Sequence, residues 1–309
     1  MKIQNRAKIC LCISIVIMLV AVVMSLTGHG INYGIDFAGG LNLQYDMGST
    51  YDKADVEEAL KAQGIEEFVV STVGSEGTAV QIRVPTLSDE DEVQNLQNGL
   101  ETTLLEKYPN MDTDNATASY VGPVAGATLV RNAIFSVLIA AVLMLIYIAF
   151  RFDLFSGIAA VAGLLHDVLI MISFMVILRN VIQMNSSFIA AMLTIVGYSI
   201  NNTIVIFDRI RENNKKPALA GQPRSEIVEL SVKESLGRTI NTTLTTLVTI
   251  VTLYILGVAS IREFSLPIII GILAGAYSAN LINGYVWAAL EDARLARKSQ
   301  KKADRKSVV

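Results

Sequence analysis

Six apolar stretches constrain this chain more than any other feature. They cover residues 9–27, 133–150, 156–178, 187–207, 239–259 and 265–289. A helix of roughly 20 apolar residues crosses the ~30 Å hydrocarbon core of a bilayer. Inside that core every backbone amide needs a partner within the protein, so each stretch is expected to be a helix. The charged fraction is 17%, where a soluble domain carries about 25%. A purely water-soluble enzyme is excluded on this ground.

The charges that remain are unevenly placed. Residues 28–132 hold 17 acids and 5 bases, a balance of −12, and the rest holds 11 acids and 20 bases, a balance of +9. The bases cluster at Lys2, Arg6 and Lys8, in the loop 208–238, and in the tail after Asp292. With six spans these three groups share one side, and Arg151 joins them. The bias of Lys and Arg toward cytoplasmic loops then puts both termini in the cytoplasm and the acidic segment outside. The first stretch lacks an A-x-A-like cleavage site before Gly28 and is long for a signal peptide, so it reads as an uncleaved anchor. Expected boundaries are a cytoplasmic N-terminus 1–8, helix 9–27, outer domain 28–132, a five-helix bundle 133–290 and a basic cytoplasmic tail 291–309.

The outer segment has the length of one small domain. Leu41-Asn42-Leu43-Gln44-Tyr45 alternates apolar and polar residues, as a half-buried strand does. Residues 52–63 place Val56, Ala59 and Leu60 at helical spacing. Residues 68–73 and 79–84 read as strands around the turn signal Gly74-Ser75-Glu76-Gly77. Residues 88–108 open on Ser88 and Asp91, a capping-box-like start, and carry the stripe Val93, Leu96, Leu100 and Leu104. Residues 116–121 complete the order βαββαβ, the ferredoxin-like pattern. The predicted fold class is thus a polytopic α-helical membrane protein: six transmembrane helices plus one ferredoxin-like α+β extracytoplasmic domain.

Soluble-enzyme motifs are absent, and Cys10 and Cys12 lie in an apolar run with no third Cys. No catalytic residue, cofactor, metal site or nucleic-acid partner is predicted. Gly39-Gly40 reads as a turn with special backbone angles. The informative residues are polar ones inside the spans, because such groups face a bundle interior or a water path. Thr194, Asn201 and Asp208 share one helix face, and Tyr198, Asn202 and Arg209 form the adjacent stripe. The fifth span starts at Arg238 and repeats threonine at 242, 245, 246, 249 and 252. Those hydroxyls either bond back to their own helix or line a hydrated ion path beside Asn201 and Asn202. His166-Asp167 sits mid-span; Asp167 is either a buried helix–helix bond or a functional acid. Gly271, Gly275 and Ala279 form a small-residue row suited to close packing within the chain.

These residues resemble a known family. Tyr33-Gly34-Ile35-Asp36-Phe37-Ala38-Gly39-Gly40 is similar to the GxDFxGG signature of SecD and SecF, accessory membrane proteins of the Sec protein-export translocase. Val121-Gly122-Pro123, Gly197-Tyr198-Ser199-Ile200-Asn201, Phe207-Asp208-Arg209-Ile210-Arg211-Glu212-Asn213, Arg238-Thr239-Ile240-Asn241-Thr242 and Gly275-Ala276-Tyr277-Ser278 resemble the SecF members in order and spacing. The resemblance implies a prokaryotic plasma-membrane protein of the resistance-nodulation-division superfamily. It also implies pairing with SecD, work beside a SecYEG-type channel and a YidC-type insertase, contact with lipid, and ion-driven pulling on a translocating polypeptide. Asp36, Gly39, Gly40, Asp208 and Arg209 are the motif residues. Asn201, Asn202, Asp167, Arg238, Thr242 and Thr246 are the ion-coupling candidates. Many members carry Asp where this chain has Asn202, and an amide shuttles no proton. The expected ion route is then SecD's own acid, Asp167, or sodium on amide and hydroxyl oxygens. A small-molecule transporter half and a non-coupled structural partner of SecD are the rival functions.

Overall fold

The computed structural model describes residues 3–73, 77–85, 87 and 90–307. Helix α1 (Ile3–Leu26) leads to a one-turn helix α2 (Ile35–Ala38) and then to an α+β domain. That domain runs β1 (Gly40–Asp46), α3 (Lys53–Ala62), β2 (Val69–Val73), β3 (Ala79–Val84), α4 (Glu90–Lys107), β4 (Asp112–Val121). The turn residues Gly74, Ser75 and Glu76 and the cap Ser88 lie outside the described residues. All pairings are antiparallel and the strand order is β2-β3-β1-β4. This is the ferredoxin-like arrangement that the βαββαβ order predicts.

The sheet divides its faces by residue type, because side chains alternate along a strand. Leu41, Leu43 and Tyr45 of β1 and Val80, Ile82 and Val84 of β3 are buried under Val56 and Leu60 of α3 and Leu100 and Leu104 of α4. Burial of each such side chain stabilises by about 1.5–3 kcal/mol. The other face carries Asn42, Gln44, Gln81, Arg83 and Ser71. Asp52 caps α3 by accepting the Ala54 amide.

Five long helical segments follow: α5 (Pro123–Arg151), α6 (Leu154–Ile177), α7 (Ser186–Asn213), α8 (Arg224–Leu256), and α9 (Ala259–Ser278), which continues through a π-turn (Ala279–Asn283) into α10 (Gly284–Ser307). Among the described residues six helices are long and apolar enough to cross a membrane. Asp153 caps α6 through the Ser156 amide, and Asn185 caps α7 through the Phe188 amide. Helices α6, α7 and α9 bury about half of their apolar stretch, whereas α1, α5 and α8 leave most of theirs open. The small-residue row packs within the chain: a Cβ on Gly271 would meet Ile195 and Met171, and one on Gly275 would meet Ser199.

Helix ends depart from the hydropathy reading. Helix α7 runs on to Asn213 and α8 begins at Arg224, so most of the expected loop 208–238 is helical. The expected tail 291–309 is likewise helical through Ser307. Hydropathy marks where side chains are apolar. Helix continues past that point because Glu, Lys and Arg are good helix formers and the i,i+4 pair Glu229–Lys233 adds support.

Candidate functional site

The deepest polar site sits at mid-height in the bundle. Asp167 on α6 is only 1% exposed. Its Oδ2 accepts the hydroxyls of Ser199 on α7 at 2.6 Å and of Ser278 at the end of α9 at 3.0 Å. Its Oδ1 lies 3.0 Å from Nδ1 of the neighbouring His166. The far ring nitrogen of His166 lies 2.9 Å from both the Ser14 Oγ on α1 and the Tyr277 Oη on α9, and these hydroxyls are 2.7 Å apart. The imidazole and phenol rings meet edge to face at 5.3 Å. Four helices thus converge on one His–Asp pair. The sequence put His166 beside Asp167 at mid-span but gave Ser14, Ser199, Tyr277 and Ser278 no shared place with them, since these lie up to 263 residues apart. The Gly197–Asn201 and Gly275–Ser278 family motifs were the local signals for Ser199, Tyr277 and Ser278, and Ser14 had none.

One turn further along α7, Asn202 is 1% exposed and its Nδ2 has no partner. Thr203 accepts from the Asn283 amide at 2.8 Å, and Asn280 accepts from Thr239 at 3.1 Å. Gly163 on α6 makes room for this cluster, because a Cβ there would strike the Asn283 side chain.

The second site is on the outside of the helices. Thr194, Gly197, Asn201 and Asp208 are exposed along one side of α7, with Ile204 and Val205 between the last two, while Asn202 points inward. Arg238 on α8 is exposed and shares a groove of about 700 Å³ with Asp208, Arg209, Glu212 and Glu234. Asp208 pairs with Arg151 at 3.5 Å, and Arg209 pairs with Glu234 at 2.7 Å. Thr242, Thr245, Thr246, Thr249 and Thr252 each donate to the carbonyl four residues back in α8. Thr242 and Thr246 are half-buried.

The motif Tyr33–Gly40 forms the joint between domain and bundle. Gly39 and Gly40 have φ of +76° and +111°, and a Cβ on Gly40 would run into the Val84 carbonyl of β3. Asp36 reaches across the chain: its Oδ2 accepts the Ser186 amide at 2.8 Å, at the start of α7. Gly34 donates to the Met184 carbonyl, and Met184 donates to that of Asn32, both at 2.8 Å. From the sheet, Arg83 donates to Asn32 at 3.3 Å. Burial lowers the Arg83 guanidinium from its usual range, and the Glu263 carboxylate acts against that. A cavity of about 630 Å³ separates the polar sheet face from this end of the bundle.

Two signatures of known families match the chain. That described as protein export membrane protein SecD/SecF, C-terminal, covers residues 101–293, and the SecD/SecF GG motif covers residues 25–49. The protein translocase subunit SecF of Rickettsia bellii is 35% identical over 91% of this chain and 90% of its own. The protein translocase subunit SecDF of Bacillus subtilis is 34% identical over 91% of this chain and 37% of its own. The crystal structure of SecDF, a translocon-associated membrane protein from Thermus thermophilus, superimposes with a TM-score of 0.79 at 32% identity, over 94% of this chain and 38% of that one. The chain therefore spans well under half of the SecDF proteins and nearly all of the SecF relative.

Proposed function

The chain belongs to the SecD/SecF family of protein-export membrane proteins, and from that premise we propose that it works as a SecF-type subunit with a SecD-type partner, using an ion gradient to promote export. The observation that carries this reading is the exposed polar row Thr194–Asn201–Asp208 on α7 beside Arg238 on α8. Polar side chains facing lipid are costly, so such a row calls for a protein partner. A partner bundle carrying its own acid relieves that cost and gives Arg238 a counter-charge. The coverage of SecDF supports it too, since the unmatched part of those chains has room for a second half.

In this reading the ion passes between the two halves, carried by the partner's acid, with Asn201 and Arg238 facing it and Thr242 and Thr246 lining the approach. The bases at the termini side are cytoplasmic, and the α+β domain lies outside the plasma membrane, beside a SecYEG-type channel and a YidC-type insertase. The buried, amide-bearing Asn202 favours a second reading, a structural partner of SecD that takes no part in coupling.

Export into vesicles containing the channel, a SecD-type partner and this chain separates the two. Arg238→Ala is expected to impair gradient-dependent export, and Asn202→Asp to leave assembly with the partner intact. Normal export by Arg238→Ala removes Arg238 from the ion path. Export of equal rate with and without proton or sodium gradients leaves only the structural reading.

A further inference from the structure

We infer that His166 and Asp167 form a proton-binding site inside this chain, and that its occupancy sets how firmly α1 is held to α6 and α9. The site is distinct from the exposed row on α7: Ser199 points from the inner side of that helix, Asn201 from the outer. It needs no partner subunit, because every contributing side chain belongs to this chain.

The geometry limits where the protons can lie. Asp167 Oδ2 receives two hydroxyls, and Ser278 also has the Gly275 carbonyl of its own helix within reach. A carboxylate that accepts from Ser199, Ser278 and the Nδ1–H of His166 has both oxygens engaged. With Nδ1 protonated toward Asp167, the far nitrogen Nε2 has two states. As a bare lone pair it accepts from one hydroxyl, Tyr277 or Ser14, and the pair carries a charge of −1. With a proton it donates to those same oxygens, and the pair is a neutral ion pair. At this buried position a net charge is far costlier than a neutral, hydrogen-bonded pair. The proton comes from water and ends on Nε2, with no other bond made or broken.

The hydroxyl triangle converts that proton into a mechanical tie. Ser14 donates to the Cys10 carbonyl at 3.0 Å and lies within reach of both Tyr277 and His166. Four contacts there are served by two hydroxyl protons when Nε2 is bare and by three protons when it is charged. Loss of the proton therefore removes a hydrogen bond between α1 and the rest of the bundle. Two further features suit a site that rearranges. The His166 side chain is 10% exposed, against 1% for Asp167, so the pair is open on its ring side. The helix switches to π-geometry immediately after Ser278, a feature frequent at functional sites. The titratable neighbours of the pair are Tyr277 on α9 and Cys10 on α1. From α5, α7 and α10 no charged side chain is bonded to either residue among the described residues.

The chain has only two histidines, which makes the test direct. The full chain, labelled with ring 15N-histidine and reconstituted in nanodiscs, is titrated by NMR. His29 is exposed and gives the one other ring signal, told apart through its own alanine variant. His166 is expected to show a transition between imidazole and imidazolium. In Asp167→Asn that transition is expected to be displaced by at least tenfold in proton concentration, because an anion within hydrogen-bonding distance is lost. Should that variant fail to fold, Ser199→Ala serves in its place, with a transition displaced from the wild type. A His166 signal that holds one state across the whole folded pH range overturns the inference. So does a transition whose midpoint the variant leaves unmoved. Neither outcome bears on whether the chain supports export.

Discussion

At the scale of single residues, a glycine pair and one aspartate hold the joint between the α+β domain and the bundle. Gly40 is held at φ +111° with the β3 backbone against its Cα. Any side chain there adds backbone strain of about 1–3 kcal/mol and a clash with the Val84 carbonyl. Gly40→Ala is therefore expected to lower the melting temperature of the α+β domain, or to prevent its folding, as read by circular dichroism and protease resistance. Gly77→Ala, with φ +71° and open space at its Cα, should cost no more than the backbone strain. Equal melting of Gly40→Ala and wild type would show that the strand can shift to make room. The glycine pair reads as a turn from sequence alone. Asp36 does not read as the residue that meets α7, because Ser186 lies 150 residues away and nothing in the local spacing points to it.

At the scale of elements, the threonines of α8 separate two kinds of hydroxyl that the sequence presents as one series. Those at 242, 245, 246, 249 and 252 return their proton to their own helix, so an apolar isostere loses little. The Thr239 hydroxyl shares its proton between carbonyls of its own helix and Asn280 across the helix interface, and Thr243 is buried with no partner for its oxygen. Thr239→Val should destabilise the detergent-solubilised chain by about 1 kcal/mol, since it strands the Asn280 oxygen. Thr243→Val should be neutral or stabilising, and Thr249→Val close to neutral. Thermal melting of the three variants checks the order, and a cost for Thr249→Val above that for Thr239→Val would contradict it. Periodicity alone made 242, 245 and 246 the interesting face. Which face meets α9 depends on packing against residues 40 positions away, and that is why the pattern stopped short.

The α3–α4 pair of the outer sheet layer offers a pH test of the same kind. Asp55 accepts from the Tyr108 hydroxyl at 2.6 Å and pairs with Lys107 at 3.0 Å. These contacts hold its carboxyl below the ordinary carboxylate value. Such a group contributes stability above its unfolded value, about 3.9, and that contribution disappears as pH falls through the lower folded value. The α+β domain should lose more stability between pH 5 and pH 3 than its Asp55→Asn variant does, by a small amount because the pair is solvent-exposed. Parallel acid curves for the two proteins would mean that the contacts do not shift the carboxyl. The four strands, two helices and six spans were all legible in advance, the domain elements from an apolar period of 2 or 3.6 and the spans from unbroken apolar length. The four-helix convergence on His166 and Asp167 was not, because a polar residue buried by neighbours distant in sequence looks the same, along the chain, as one facing lipid.

At the scale of the whole molecule, the sheet is joined to the bundle by a short list of bonds. The chain crosses between them twice, at residues 27–39 and 121–125. Around those crossings lie the Gly34–Met184 backbone pair, the Asp36–Ser186 cap and the path from Arg83 through Asn32 to the Arg179 carbonyl. Arg83 is the side chain of the sheet that enters this path, and it borders a 630 Å³ cavity rather than a packed interface. A joint built of polar bonds around a void can hinge, because opening it exposes little apolar surface and so forfeits little hydrophobic stabilisation. Arg83→Ala should leave each part folded while freeing one from the other. In a background with Cys10 and Cys12 replaced by alanine, spin labels at Val69→Cys on β2 and Val181→Cys on the α6–α7 loop report the distance across the cavity. Arg83→Ala is expected to broaden that distance distribution or shift its mean by more than ~2 Å, the size of a genuine rearrangement. Asn32→Ala, which cuts the same path from the other side, should do the same, and the double variant should add nothing further. An unchanged distribution in both single variants would place the hold on the domain in the backbone crossings and the Asp36 cap, and Asp36→Ala would then be the variant that frees it.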